Sequence, residues 1–269
     1  MMRVYCYFNN VGGFYTAPFL NNVEPEQFKK DFFMGIFGVK MKVSVLISVY
    51  YKEKPQNLKE ALESIIKQTV MPNQIVIIKD GKLTSELEKV LEIYKKKYKD
   101  LIEIYGLDRN VGLGQALKYG IEKCKYEYIA RQDSDDISVK ERFQKQISYL
   151  QENQDIDILG GYIEEYDENM KKLLSVRKVP LSSEGIKKYI KKQCPFNHGT
   201  VIMKKKAVID AGNYNSVILE DYDLWARMVK CNAKMENISV VLGKNRTGKT
   251  LYKKHGGKSR IKSIIEILI

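Results

Sequence analysis

The sequence predicts an α/β fold: a central, mostly parallel sheet flanked by helices on both faces. Three observations carry this. From Lys42 onward, short apolar β-branched runs alternate with segments of helical period, the order that builds parallel strands joined by crossovers. The first run, Val43 to Tyr50, is almost continuously apolar, as in a strand covered on both faces. Three runs end on polar or aromatic chemistry at one edge, at Tyr50-Tyr51, at Asp80, and at Asp133 with Asp135. Open α/β sheets bind ligands at the carboxyl ends of their strands.

The elements follow in order. Residues 1–40 are aromatic-rich and read as an appendage, either an interaction segment or the product of a translation start set too early. Within them, Asn9-Asn10-Val11-Gly12-Gly13 suits a hairpin turn. The domain proper is expected over residues 41–243. Leu58, Leu62, Ile65 and Ile66 mark a helix that ends before Pro72. Gln74 to Lys79 is a second strand running into Asp80-Gly81, Leu83 to Tyr98 a helix, and Ile102 to Tyr105 a third strand. The loop Asn110-Val111-Gly112-Leu113-Gly114 starts a helix through Ala116, Leu117 and Ile121. Tyr126 to Ala130 is the fourth strand, and it delivers Asp133, Asp135 and Asp136. Ile137-Ser138 then leads into a helix with Phe143, Ile147 and Leu150 on one face. Ile156 to Tyr162 and Thr200 to Met203 read as strands. Ser182 to Lys192, Lys205 to Ala211, and a segment carrying Leu224, Trp225 and Met228 read as helices. Residues 244–269 remain as a basic tail, in which Ile261, Ile264, Ile265 and Leu268 suit a short amphipathic helix.

Composition limits the function. A chain of 269 residues, 44% hydrophobic and 29% charged, can bury a sizeable core, and no apolar run is long enough to span a bilayer. No secretory signal pattern opens the sequence. Cys6, Cys124, Cys194 and Cys231 are scattered, which argues against a zinc site or a disulfide framework and for reduced thiols in a cytoplasmic protein. The net charge of +13 is one-sided: residues 170–269 hold 22 Lys+Arg against 7 Asp+Glu. That surface suits an anionic partner such as nucleic acid, a phosphate-bearing substrate or the cytoplasmic face of a membrane. The plainer reading is a solvated lysine-rich surface.

The converging strand ends carry the chemistry. Asp133 and Asp135, one residue apart, can share a hard divalent cation, Mn²⁺ or Mg²⁺, whose shell substrate phosphates complete. Tyr50 can stack on a base, and Asp80 can accept hydrogens from a base or ribose. Each has a plain alternative: an acidic turn with a helix N-cap, a half-buried tyrosine, an Asp-Gly turn. The glycine loop lacks the third glycine and the position of a dinucleotide fingerprint. His198 and His255 are the only histidines; His198, just before a strand, is the better site candidate, and His255 lies in a basic Lys-Lys-His-Gly-Gly-Lys stretch.

Several stretches together resemble the family 2 glycosyltransferases, above all bacterial enzymes of capsular, O-antigen or exopolysaccharide assembly. They are Val45 to Glu53, Ile77 to Gly81, Asn110 to Leu117 and Ile129 to Asp136, then Arg142 to Gln146, Pro195 to Thr200 and Glu220 to Trp225. The likeness covers roughly residues 42–260, in the family's order. It implies a GT-A fold, an inverting mechanism, a nucleotide-sugar donor, a saccharide or lipid-linked acceptor, and a divalent metal on the Asp-x-Asp motif. By the same analogy Tyr50, Glu53, Asp80, Lys118, Arg131 and Asp133 meet the nucleotide-sugar, and Asp133 and Asp135 meet the metal. Asp221 acts as base, with His198, Glu220, Trp225 and His255 as further candidates on the acceptor side. Lys118 departs from the Asn common in relatives, and Lys82 from Pro. Relatives often run longer past residue 257.

Two other classes compete. A nucleotidyltransferase would use the same aspartates but prefers a glycine-rich phosphate loop where Tyr50-Tyr51-Lys52-Glu53 stands. A nucleic-acid-binding module needs aromatics among its basic residues, and residues 170–269 hold few. The leading expectation is a glycosyltransferase peripheral to the inner face of the plasma membrane.

Overall fold

A computed structural model describes residues 4–8, 11–15 and 41–247 of the chain. The chain divides into two compact units, residues 1–40 and 41–269. In the first, strands β1 (Val4–Phe8) and β2 (Val11–Tyr15) pair antiparallel with Phe8 opposite Val11, so the expected hairpin forms.

The second unit opens with β3 (Val43–Val49), α1 (Pro55–Ile66), β4 (Gln74–Lys79), α2 (Ser85–Lys97), β5 (Ile102–Gly106), α3 (Leu113–Lys123) and β6 (Tyr128–Gln132). These are the expected alternations, and β5, β4, β3 and β6 lie side by side in parallel. There follow β7 (Ile137–Ser138), α4 (Arg142–Glu152), β8 (Ile158–Tyr166), β9 (Leu173–Arg177), α5 (Ser183–Tyr189), a 3₁₀ turn at His198–Thr200 and β10 (Ile202–Lys204). The last elements are α6 (Lys205–Asp210), α7 (Glu220–Lys230) and β11 (Met235–Arg246). The full order is β5-β4-β3-β6-β10-β8-β11-β7, with β9 also on β8. Beyond β6 the sheet turns mixed: β10 runs antiparallel to both β6 and β8, while β11 lies parallel to β8.

Strand alternation sends side chains to two cores. Val45, Ile47, Ile75 and Ile77 pack with Leu58, Leu62, Leu87 and Phe143 on one face, under α1, α2 and α4. Leu46, Val76, Ile78 and Ile129 pack with Leu117, Ile121, Leu224 and Trp225 on the other, under α3 and α7. Two covered faces explain why β3, β4 and β6 are apolar without alternation.

Three readings change. Ile137-Ser138 is a short strand rather than a lead-in to a helix, because it finds a partner in Gly243 and Lys244 of β11. Pairing with β8 carries β11 on through Arg246, so the boundary drawn at 243/244 falls inside a strand. The second new strand, β9, pairs antiparallel with the end of β8. The expected helix over Ile261 to Leu268 lies outside the described residues.

Behind β6 a buried polar network holds the acidic loop. The fully buried Arg142 guanidinium donates from Nε to Gln146 Oε1 (3.1 Å) and from Nη1 to Gln132 Oε1 (3.0 Å) and Ser138 Oγ (2.9 Å). Its Nη2 reaches the carbonyls of Arg131 (2.8 Å) and Val201 (3.3 Å). Arg142→Met fills the space but strands these acceptors in a dry interior. It should cost about 2–3 kcal/mol, several degrees of melting temperature. A melting curve unchanged from wild type would show that water replaces the guanidinium.

Candidate functional site

A cavity of about 580 Å³ opens at the carboxyl ends of β3, β4 and β6. Tyr50, Glu53, Asp80, Arg131, Asp133 and Asp135 all line it. Six of the residues singled out from the sequence are thus brought to one place by three strand ends and the loops that follow them.

Tyr50 directly follows β3 and is 42% exposed, with its ring edge-on to that of Tyr51 (centroids 5.9 Å). The loop that follows it turns back through Glu53, whose Oε1 accepts from Lys54 N (2.7 Å) and Asn57 Nδ2 (3.2 Å). Its Oε2 accepts from Ser134 Oγ (2.7 Å), which ties this loop to the acidic one. Asp80 is buried and gathers the glycine loop. It accepts from Val111 N (2.7 Å), Gly112 N (3.1 Å) and Asn110 Nδ2 (3.0 Å). Gly81 follows because Asn110 presses on it: a Cβ there would sit 2.5 Å from Asn110 N, and its φ is +82°.

The three carboxylates of the acidic loop separate into different roles. Asp133 Oδ1 pairs with Arg131 Nη2 at 2.6 Å, and Arg131 is itself buried. Asp135 faces the cavity; burial and the nearby Asp133 and Glu53 carboxylates push its pKa up to about 7, and the charge of Arg246 partly opposes them. Asp136 points away, buried, and accepts from the backbone N–H of Arg246 (2.9 Å). The Arg246 guanidinium lines the cavity and donates to the Asp135 carbonyl and to Glu60. Nothing local in the sequence points to Arg246, which reaches the loop from across the chain.

Among the described residues no three His, Cys, Asp or Glu side chains form a ready metal cage. The donor set still fits a hard cation: oxygens only, with two aspartates of one short loop lining one cavity. Such a shell is completed by substrate phosphates.

A second group sits at the start of α7. Glu220 and Asp221 occupy its first turn, and the N-cap Leu219 makes no side-chain cap. The thiol of Cys194 donates to Asp221 Oδ2 (3.5 Å), a contact that the sequence did not suggest. Asp223 is spoken for by Arg227 (2.6 Å) and Asn215 Nδ2 (3.0 Å). Gly114 lets this group close on α3, since a Cβ there would meet Asn215 O at 2.1 Å and Glu220 Cβ at 3.1 Å. Burial, then the adjacent Asp221, raises the Glu220 pKa to about 7, and Arg131 partly opposes them.

An acid with a raised folded pKa holds its proton longer when folded, so stability falls as pH rises from the usual carboxylate range to about 7. Glu220→Gln should therefore raise stability at pH 8 by roughly 1–3 kcal/mol, seen as a higher melting temperature, with the gain gone near pH 4. An equal gain at both pH values would assign it to packing instead.

Other candidates move. Lys118 lines a separate groove with Arg109, Gln115 and Tyr119 rather than the main cavity, because its turn of α3 faces the outer side of the glycine loop. Trp225 is fully buried, with ring centroids 5.4 Å from Phe196 and 5.9 Å from His198, so it belongs to the core and not to an acceptor surface. His198 Nε2 lies 2.9 Å from the Tyr214 hydroxyl, and burial brings its pKa down to about 4, which leaves it neutral. His255 lies outside the described residues.

Comparison with known proteins bears on this geometry. A family model described as Glycosyl transferase family 2 matches residues 44–212, more than half the chain. The amylovoran biosynthesis glycosyltransferase AmsE of Erwinia amylovora is 38% identical over 83% of this chain and 83% of its own. The UDP-Gal:alpha-D-GlcNAc-diphosphoundecaprenol beta-1,3-galactosyltransferase of Escherichia coli is 39% identical over 80% of this chain and 78% of its own. Among solved structures, S. aureus TarS 1–349 in complex with UDP-GlcNAc superposes with a TM-score of 0.63. It shares 20% identity over 85% of this chain and 65% of that one, a likeness of fold.

Proposed function

The chain belongs to glycosyl transferase family 2 and is a glycosyltransferase, and from that premise we propose a metal-dependent, inverting transfer. The donor is a nucleotide-sugar, a UDP-sugar by analogy with the E. coli relative and the TarS complex. The acceptor is a saccharide or lipid-linked saccharide of a bacterial surface polysaccharide. The observation that carries the reading is the convergence of Tyr50, Asp80 and the Asp133/Asp135 pair on one cavity.

In this reading Tyr50 stacks on the base while Asp80 and the glycine loop that it gathers border the nucleoside. Asp133 and Asp135 would hold Mn²⁺ or Mg²⁺, which would supply positive charge to a leaving diphosphate. Arg131 steadies Asp133 from behind. Asp221 takes the proton of the acceptor hydroxyl. The freed oxygen bonds to the anomeric carbon from the face opposite the diphosphate, the bond to the diphosphate breaks, and the configuration inverts. Basic residues on the C-terminal part keep the enzyme at the inner membrane face, where a lipid-linked acceptor resides. Membership in the family supports sugar transfer over the nucleotidyltransferase reading.

A panel of nucleotide-sugars, assayed for slow donor hydrolysis with Mn²⁺ and with EDTA, tests the reading. A UDP-sugar should be cleaved with Mn²⁺ and spared with EDTA. Cleavage of another nucleotide's sugar alone removes the UDP assignment, and cleavage that ignores EDTA removes the metal.

A further inference from the structure

The β8–β9 hairpin is built from a sequence that does not suit an ordinary edge strand. Residues 171–178 read Lys-Lys-Leu-Leu-Ser-Val-Arg-Lys, and all but Ser175 are exposed. Leu173, Leu174 and Val176 leave 46%, 45% and 41% of their surface open, although neighbours in a strand point to opposite faces. The blade is open on both faces until its end, where the Arg177 carbonyl accepts from the buried Asn197 Nδ2 (3.5 Å). Lys171, Lys172, Arg177 and Lys178 flank the aliphatic side chains, while the β8 side and the turn carry Glu164, Glu165, Asp167 and Glu168. Of these, Glu164 lies 4.0 Å from Lys244, Glu165 accepts from Ser175 and Asp167 accepts from its own turn.

The blade is preformed. Asp167 accepts at Oδ1 from Lys171 N (2.7 Å) and Lys172 N (3.0 Å), and its own N–H donates to Lys172 O (3.0 Å). It is also placed: Glu168, in the same turn, lines the main cavity, and Thr247 N bonds to Tyr166 O (2.7 Å) at the end of β8. Lysines alone would be read as protection of an edge against pairing. Three exposed aliphatics between them defeat that purpose in water. They fit a surface that is anionic outside and apolar just beneath.

We propose that this hairpin docks the enzyme on an anionic lipid bilayer. Leu173, Leu174 and Val176 enter the boundary between headgroups and acyl chains, and the four cations meet lipid phosphates. A second copy added edge to edge would bring like charges together across the new pair, which disfavours that occupant. Docking by a turn that borders the cavity sets the mouth of the site against the membrane. The benefit for a lipid-linked acceptor rests on the function proposed above, whereas the docking itself does not.

The test is flotation of the full chain with vesicles of phosphatidylcholine, with and without phosphatidylglycerol. Wild type should float with the anionic vesicles, less so at high salt. Leu173→Ser with Leu174→Ser should weaken this at least about tenfold, and Lys171→Glu with Lys172→Glu should do the same. Melting temperature and donor hydrolysis should stay unchanged, because these positions are exposed and outside the cavity. Failure of wild type to float, or flotation of both double variants as well as wild type, overturns the proposal. So does a wild-type dimer in size-exclusion chromatography that both variants lose. Loss of donor hydrolysis in wild type would instead strike the proposed function and leave the docking result standing.

Discussion

Asp221→Asn is expected to slow sugar transfer by about 10²–10⁴-fold, the worth of a general base, while donor binding and melting temperature stay near wild type. Of the three carboxylates at the start of α7, Asp223 is held by Arg227 and Asn215. Glu220, its pKa raised to about 7 by burial and then by the adjacent Asp221, is the competing candidate for the base. Asp221 lies in the first turn of α7, and the Cys194 thiol donates to one of its oxygens (3.5 Å). Asparagine keeps the shape and that contact's acceptor but cannot take a proton. Transfer measured at saturating donor, beside calorimetric donor affinity, gives the answer. Near-normal turnover would move the role to Glu220, and an unfolded variant would make the carboxylate structural.

Asp135→Ala should weaken UDP binding in Mn²⁺ by roughly 10²–10³-fold, since a metal clamp on a diphosphate is worth several kcal/mol. A second sign comes from stability. Without metal, Asp135 is destabilising once ionised, because burial and the Asp133 and Glu53 charges raise its pKa to about 7. Its cost grows as pH rises through that value. In EDTA at pH 8 the variant should melt above wild type. Adding Mn²⁺ should then lift wild type by several degrees, by mass action, and leave the variant unmoved. Equal Mn²⁺ shifts in both proteins would take Asp135 out of the metal site.

The middle of the parallel half of the sheet was legible because β3 and β4 are buried on both faces, and burial on both faces leaves an unbroken apolar run. Val43–Val49 and Gln74–Lys79 are such runs. β11 was not legible: its register against β8 shifts between Ile238 and Val241 and again before Gly243, which erases any period of two. β9 hid for the opposite reason, since its aliphatics face outward among cations and read as loop. Within the site, residues at strand ends could be placed from sequence because topology fixes the edge they reach. Lys118 and Trp225 could not, because their place depends on how α3 and α7 are rotated against the sheet. Arg246 and Cys194 enter through contacts between distant segments, to Asp136 and Asp221, that no local pattern records.

The pairing of β7 with β11 has a consequence for how the protein is made. The acidic loop lies between β6 and β7, yet its last fastening, Arg246 N to Asp136, joins residues 110 positions apart. On a ribosome adding about 5–20 residues per second, Asp133, Asp135 and Asp136 emerge and then wait roughly 5–20 s for that partner to be synthesised. The parallel pairings among β3, β4, β5 and β6 can form in the meantime, since those four strands are already synthesised. The nascent chain would therefore hold a formed nucleoside edge beside an unfastened acidic loop, and competence to bind a diphosphate would arrive last, with β11.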